Sequence, residues 1–186
     1  SKKDLIKPRK KIDLNSPRNV LENIAIPKNA PKFIDLFSGA GGFTVGLAKS
    51  GFRPMLDADF DESVKKTHEF NFGGLDYIHG DLSSKKIKNQ VIKKLQNNKI
   101  DLVVGGPPCQ GFSIFGKRRF VNTKKYNPKV DPRNRLVFTF FDYVKELQPD
   151  WFVMENVAGF KSLDDGNFVK KLEAYVKKLG YKNFDH

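Results

Sequence analysis

Phe33-Ile-Asp-Leu-Phe-Ser-Gly-Ala-Gly-Gly-Phe43 decides the fold. Phe33–Phe37 is a short apolar run of strand length, and Phe43–Ser50 reads as a helix that Gly51 ends. Between them the chain turns through glycines. Glycine has no Cβ, so the turn can be tight and the backbone can come close to a ligand. A second reading stays open, in which the glycines serve only a tight strand-to-helix connection. The loop is no phosphate loop, because no Gly-Lys-Ser/Thr follows it, and the full dinucleotide spacing Gly-x-Gly-x-x-Gly is absent.

Downstream the alternation repeats. Arg53–Phe60, Leu75–Leu82, Asp101–Gly106 and Trp151–Val157 read as strands. Glu62–Asn71, the Lys-rich Ser84–Asn97, Pro132–Leu147 and Leu163–Leu179 read as helices. Strand and helix at βαβ spacing predict an α/β fold with a doubly wound, mainly parallel sheet covered on both faces. Such sheets bind ligands beyond the carboxyl ends of their strands, where the strand order reverses. The segment Gly106–Asp131 is too long for an ordinary connection, and loops of that length usually carry function.

Upstream lies residues 1–32, with four prolines and no sustained periodicity. This stretch reads as a basic N-terminal arm, either contacting nucleic acid or solvated as a tail, before a domain spanning 33–186. It carries nine basic and three acidic residues. The whole chain of 186 residues has a net charge of +13, from 34 Lys and Arg against 21 Asp and Glu. That surplus suits a polyanionic partner such as nucleic acid, although a Lys-rich composition alone produces the same number. A second basic cluster, Lys117, Arg118, Arg119, Lys124, Lys125 and Lys129, has no acid among it. No apolar run approaches a membrane span and no secretory leader opens the chain, while a lone cysteine excludes an internal disulfide. These features predict a cytoplasmic protein. His68, His79 and His186 show no metal-ligand spacing, so no metal is assigned.

Three strand-end features converge on one crevice. Asp59 ends the second strand, 20 positions after Gly39. A carboxylate there can accept both hydroxyls of an adenosine ribose. Phe60 can stack on adenine, and Asp81, in Gly-Asp-Leu, can accept from its amino group. Each Asp alone also suits a helix N-cap. Together with the glycine loop they predict an adenosine-containing cofactor. Val104-Gly-Gly-Pro-Pro-Cys-Gln-Gly-Phe-Ser113 follows the fourth strand. Cys109 sits there in a loop stiffened by two prolines, a poor place for an inert core thiol. Glu155 ends the fifth strand. A carboxylate at the end of a buried strand is partly desolvated, which favours its protonated form and lets it donate to a ring nitrogen; a structural cap is the other reading. In a sheet ordered 3-2-1-4-5, strands four and five are neighbours, so Cys109 and Glu155 face one pocket.

At this point the residues resemble the DNA (cytosine-5) methyltransferases. Asp-Leu-Phe-Ser-Gly-Ala-Gly-Gly, Pro-Pro-Cys-Gln and Glu-Asn-Val are close matches to that family's blocks, in order, as is Asp131-Pro-Arg-Asn-Arg-Leu136. The resemblance implies a fold of the S-adenosylmethionine-dependent methyltransferase (Rossmann-like) type. It implies that Cys109 attacks C6 of a flipped-out cytosine in double-stranded DNA, that Glu155 binds N3, and that C5 takes the methyl group of S-adenosyl-L-methionine, leaving S-adenosyl-L-homocysteine. Phe37, Ser38, Gly39, Ala40, Gly41, Gly42, Asp59, Phe60, Asp81, Leu82, Pro108 and Leu136 fall at cofactor positions. Gln110, Ser113, Lys117, Arg118, Arg119, Lys124 and Lys125 fall where the family's loop meets DNA. The family's later blocks and target-recognition region do not occur in these residues. The expectation is therefore a sheet truncated before its last strands, inactive alone, whose remainder is supplied elsewhere, for instance by a second chain. Alternatives are a non-catalytic cofactor- or DNA-binding subunit, a tRNA cytosine-C5 methyltransferase, and a dinucleotide oxidoreductase, which would leave Cys109 and Glu155 idle.

Overall fold

Five strands pair in parallel in the order β3-β2-β1-β4-β5 in the computed structural model, which describes residues 18–108, 135–156, 160–161, 166–183 and 185. The strands are β1 (Lys32–Leu36), β2 (Arg53–Asp59), β3 (Tyr77–His79), β4 (Leu102–Gly105) and β5 (Trp151–Met154). The helices are α1 (Gly42–Lys49), α2 (Glu62–Phe72), α3 (Lys85–Leu95), α4 (Arg135–Leu147) and α5 (Asn167–Lys178). The doubly wound α/β expectation holds.

Register explains the two-sided core. Side chains alternate across a strand, so Ile34 and Leu36 face one side while Phe33 and Asp35 face the other. Ile34 stands beside Leu56 and Val103, and Asp35 beside Asp57 and Val104. The first face is covered by α3, α4 and α5 through Ile87, Val91, Leu95, Val137, Phe140, Phe141, Val144, Val169, Leu172 and Val176. Burying each such side chain contributes roughly 1.5–3 kcal/mol before conformational entropy is subtracted. On the second face, Phe33, Leu102 and Val104 pack with Phe43, Leu47 and Phe52.

Local chemistry sets the helix starts. Ser84 caps α3 by accepting from Ile87 N, and Asp61 caps α2 by accepting from Ser63 N. The caps therefore fall to residues other than Asp59 and Asp81.

Several boundaries are shorter than the sequence predicts. β1 ends at Leu36 because Phe37 adopts a left-handed φ of 59°. Among the described residues β3 is an edge strand with one neighbour, so its pairing stops where β2 ends at Asp59. β5 also lies at an edge, and it is not a buried strand: Trp151 is 72% and Val153 47% exposed. Of the expected basic arm, residues 18–31 are no solvated tail. A 3-10 turn at Val20–Asn23 touches α1 and α2, Arg18 N donates to Phe70 O, and the Arg53 guanidinium donates to Pro27 O. Residues 1–17 lie outside the described residues. Among those described, no helix is long and apolar enough to cross a membrane.

Candidate active site

A cavity of about 590 Å³ opens at the carboxyl ends of β1, β2 and β4 and beyond β3. Phe37, Asp59, Phe60, Asp61, Asp81, Leu82, Ser83, Gly106, Pro108 and Leu136 line it. Seven of these are residues the sequence singled out for a cofactor, although 99 positions separate Phe37 from Leu136. The topology accounts for the convergence: the order reverses at β1, so the turns after β1 and β4 diverge to opposite faces and leave a crevice between them.

The glycine loop is fastened to the end of β2. Asp59 Oδ2 accepts from Gly39 N at 2.8 Å, and Asp59 Oδ1 accepts from Asp61 N at 2.8 Å. Each carboxylate oxygen has two lone pairs, so Asp59 keeps an acceptor site on each oxygen for a ligand. Gly41 has φ 81°, and a Cβ there would stand 2.3 Å from Phe72 Cε2. Gly41→Ala combines left-handed strain with ring overlap and is expected to cost about 2–4 kcal/mol, read as a lower urea midpoint. Ser38, Gly39, Ala40, Gly41 and Gly42 belong to the same loop without lining the cavity, and the buried Ser38 hydroxyl has no partner among the described residues. Asp81 accepts from Ser83 N and Ser83 Oγ through Oδ1, at 2.9 and 2.7 Å. Leu82 is held by the buried Tyr143 of α4, whose hydroxyl donates to its carbonyl at 3.0 Å.

Glu155 reaches the cavity rim: a Cβ on the lining residue Gly106 would lie 3.2 Å from Glu155 Oε2. The expected desolvation is not found, because Glu155 is exposed at the end of an edge strand. Cys109, Gln110, Ser113, Lys117, Arg118, Arg119, Lys124 and Lys125 lie outside the described residues. Pro108, which precedes Cys109, is in the cavity wall.

Sequence reasoning missed two features. His79 Nε2 lies 2.9 Å from the Phe60 carbonyl and 3.2 Å from Glu62 Oε2, so it anchors the backbone that presents the Phe60 ring, itself 69% exposed. Beneath the loop sits a buried polar cluster. Thr44 Oγ1 lies 2.7 Å from Asp57 Oδ2 and 3.2 Å from Asp35 Oδ2, and His68 Nε2 lies 2.8 Å from Asp57 Oδ2. An acid inside each of two apolar strands, in Phe-Ile-Asp-Leu and Met-Leu-Asp-Ala, was the available signal. Burial, reinforced by Asp57, pushes the Asp35 carboxyl up to about 8, and burial also raises Asp57.

The raised Asp35 has a consequence for stability. Between about pH 4 and about pH 8 the folded chain holds a proton that the unfolded chain has released, so stability falls as pH rises through that window. The slope is at most about 1.4 kcal/mol per pH unit. Asp35→Asn cannot ionise there. Urea unfolding across the window is expected to show wild type losing stability relative to Asp35→Asn as pH rises, with the difference levelling above about pH 8.

Comparison with known proteins agrees with this architecture. A family model described as C-5 cytosine-specific DNA methylase matches residues 31–186. The Type II methyltransferase M1.HphI of Haemophilus parahaemolyticus is 38% identical over 152 residues, covering 81% of this chain and 38% of its own length. The Type II methyltransferase M.AquIA of a Picosynechococcus strain is 42% identical over 148 residues, covering 78% of this chain and 54% of its own. A crystal structure described as a DNA modification methyltransferase encoded within an E. coli prophage superposes with a TM-score of 0.63 at 32% identity, over 80% of this chain and 38% of that one. The chain thus spans between 38% and 54% of the length of these relatives. It belongs to the C-5 cytosine-specific DNA methylase family.

Proposed function

We propose that the cavity binds S-adenosylmethionine and that the chain is the cofactor-binding and catalytic part of a cytoplasmic DNA (cytosine-5) methyltransferase of restriction–modification type. The observation that carries this reading is the convergence of Phe37, Asp59, Phe60, Asp81, Leu82, Pro108 and Leu136 on one crevice. The donor set fits the cofactor's parts. Asp59 retains acceptor sites for ribose hydroxyls, Asp81 offers a carboxylate to the adenine amino group, and Phe37 and Phe60 are aromatic walls for a purine. A volume of about 590 Å³ suits a ligand of this class.

When bound, S-adenosylmethionine supplies an electrophilic methyl group. The chain's own contribution is to make C5 of cytosine nucleophilic. In the proposed reaction the Cys109 thiolate forms a bond to C6, the ring electrons move toward C5, and Glu155 holds N3 by a hydrogen bond. After C5 is methylated, its proton leaves to a base, the Cys109–C6 bond breaks and the double bond returns. The cytosine must leave the stack to reach this site, and the basic residues Lys117, Arg118, Arg119, Lys124 and Lys125 are assigned to phosphates of the duplex.

The test is transfer of labelled methyl from S-adenosylmethionine to duplex DNA, with tRNA in parallel, by the 186 residues with and without a chain carrying the remainder of a relative. Transfer to DNA only when the two are combined is the expected result. Failure to bind S-adenosylhomocysteine would refute the cofactor assignment, transfer to tRNA alone would reassign the substrate, and transfer by the 186 residues alone would remove the need for a complement.

A further inference from the structure

Beneath the glycine loop, one hydroxyl stands between two buried carboxyls. Asp35, Thr44 and Asp57 are all fully buried, and His68 is 1% exposed. Thr44 Oγ1 is within hydrogen-bond distance of both Asp35 Oδ2 and Asp57 Oδ2, yet a hydroxyl carries a single hydrogen. Both contacts are satisfied only if one carboxyl carries a proton. With the proton on Asp35, a continuous chain forms: Asp35 Oδ2–H donates to Thr44 Oγ1, Thr44 donates to Asp57 Oδ2, and His68 Nε2–H donates to the same oxygen. The second oxygens, Asp35 Oδ1 and Asp57 Oδ1, have no partner among the described residues, which makes a second negative charge there costly.

The cluster touches the loop on three sides. Thr44 is in the first turn of α1, directly after the loop. Asp57 lies two residues before Asp59, which holds Gly39 N. The His68 ring packs 4.9 Å from the Phe72 ring, which fills the space beside Gly41. The other polar groups facing the cluster are Tyr77 on β3, whose ring is 4.4 Å from His68, and Asp59 at the end of β2; Asp61 and Glu62 stand farther out at the head of α2. Tyr77 is kept neutral by burial and by these acids, and Asp57 and Asp59 oppose a second charge on Asp35.

We propose that Asp35, Thr44, Asp57 and His68 are positioning residues for the cofactor loop, and that the loop keeps its binding shape only while Asp35 and Asp57 share one proton. Loss of that proton leaves two carboxylates competing for one hydroxyl. Their repulsion separates β1 from β2 and frees the turn of α1 that carries Thr44. This inference rests on the proposed cofactor site, and its test separates the two.

Affinity for S-adenosylhomocysteine is measured by calorimetry on the full protein between about pH 6.5 and about pH 9, with exchange of the loop peptide amides, corrected for intrinsic base catalysis, followed over the same range. Wild type is expected to lose about tenfold in affinity and in loop protection across the alkaline limb, because the competent fraction falls tenfold one pH unit above the breakpoint. Asp35→Asn keeps the proton-bearing charge state at every pH. Its affinity is expected to match neutral wild type within about twofold and to stay flat. Should Asp35→Asn not fold, Thr44→Val serves: it removes a hydrogen bond that holds the Asp35 carboxyl down and is expected to move the breakpoint to higher pH while weakening binding at all pH values. An unchanged alkaline loss in either variant, or no loss in wild type, overturns the proposal. Wild type that binds no S-adenosylhomocysteine but shows the loop breakpoint leaves the positioning device standing and refutes the cofactor assignment instead.

Discussion

Assayed together with the complementing chain, Cys109→Ser is expected to lower methyl transfer to duplex DNA by at least about 10³-fold while S-adenosylhomocysteine binding stays within about twofold of wild type. The proposed reaction needs a nucleophile that adds to an unactivated ring carbon at neutral pH. A thiol supplies a usable fraction of thiolate there, whereas a serine hydroxyl without an adjacent base does not ionise. Cys109 is the chain's lone cysteine, so the substitution removes all thiol chemistry. Duplex carrying 5-fluorocytosine provides a second readout. Fluorine at C5 cannot leave as a proton, so the adduct persists, and a covalent protein–DNA band should form with wild type and vanish with Cys109→Ser. Turnover above about a tenth of wild type in the serine variant would remove Cys109 from the nucleophile's role.

Asp59→Ala is expected to weaken S-adenosylhomocysteine binding about 100-fold. Hydrogen bonds to a charged acceptor are worth roughly 1.5–3 kcal/mol each, and the assigned role is to accept from two ribose hydroxyls. The same substitution strips the partner from Gly39 N, so the loop is loosened as well. Asp59→Asn separates the two effects. Its carbonyl oxygen can keep Gly39 and accept from one hydroxyl, while its amide nitrogen faces a donor, and the expected loss is intermediate, about tenfold. Isothermal calorimetry with thermal melts checks both. A change in melting temperature with unaltered affinity would make Asp59 a loop fastener and nothing more.

Much of this site was legible in the sequence. The order of strands and helices followed from apolar periodicity and glycine punctuation, and the strand-end positions of Phe37, Asp59, Asp81 and Pro108 followed from that order. The burial of the fifth strand shows where the reading failed. Trp-Phe-Val-Met looks like a strand buried on both faces, yet its alternate residues Trp151 and Val153 are exposed. An apolar run reports what a strand is able to bury; its neighbours decide what it does bury, and among the described residues β5 has only β4 beside it.

Helix caps illustrate the same division. Asp59 and Asp81 each fit an N-cap by residue type, but capping depends on which N–H a side chain reaches. Asp61 and Ser84 reach those of α2 and α3, while Asp59 turns across to Gly39, 20 positions earlier.

The amino-acid sequence by itself determined the family's blocks, the parallel α/β order and the glycine turn that begins at Phe37, because each is a property of neighbouring residues: periodicity, backbone freedom and spacing. Only the tertiary structure decided what lies beneath that turn. Asp35 and Asp57 become neighbours through the pairing of β1 with β2, and Thr44 and His68 arrive from two different helices. Whether a carboxyl holds its proton depends on distances across strands and on the water excluded around it, and no local stretch of sequence encodes either quantity.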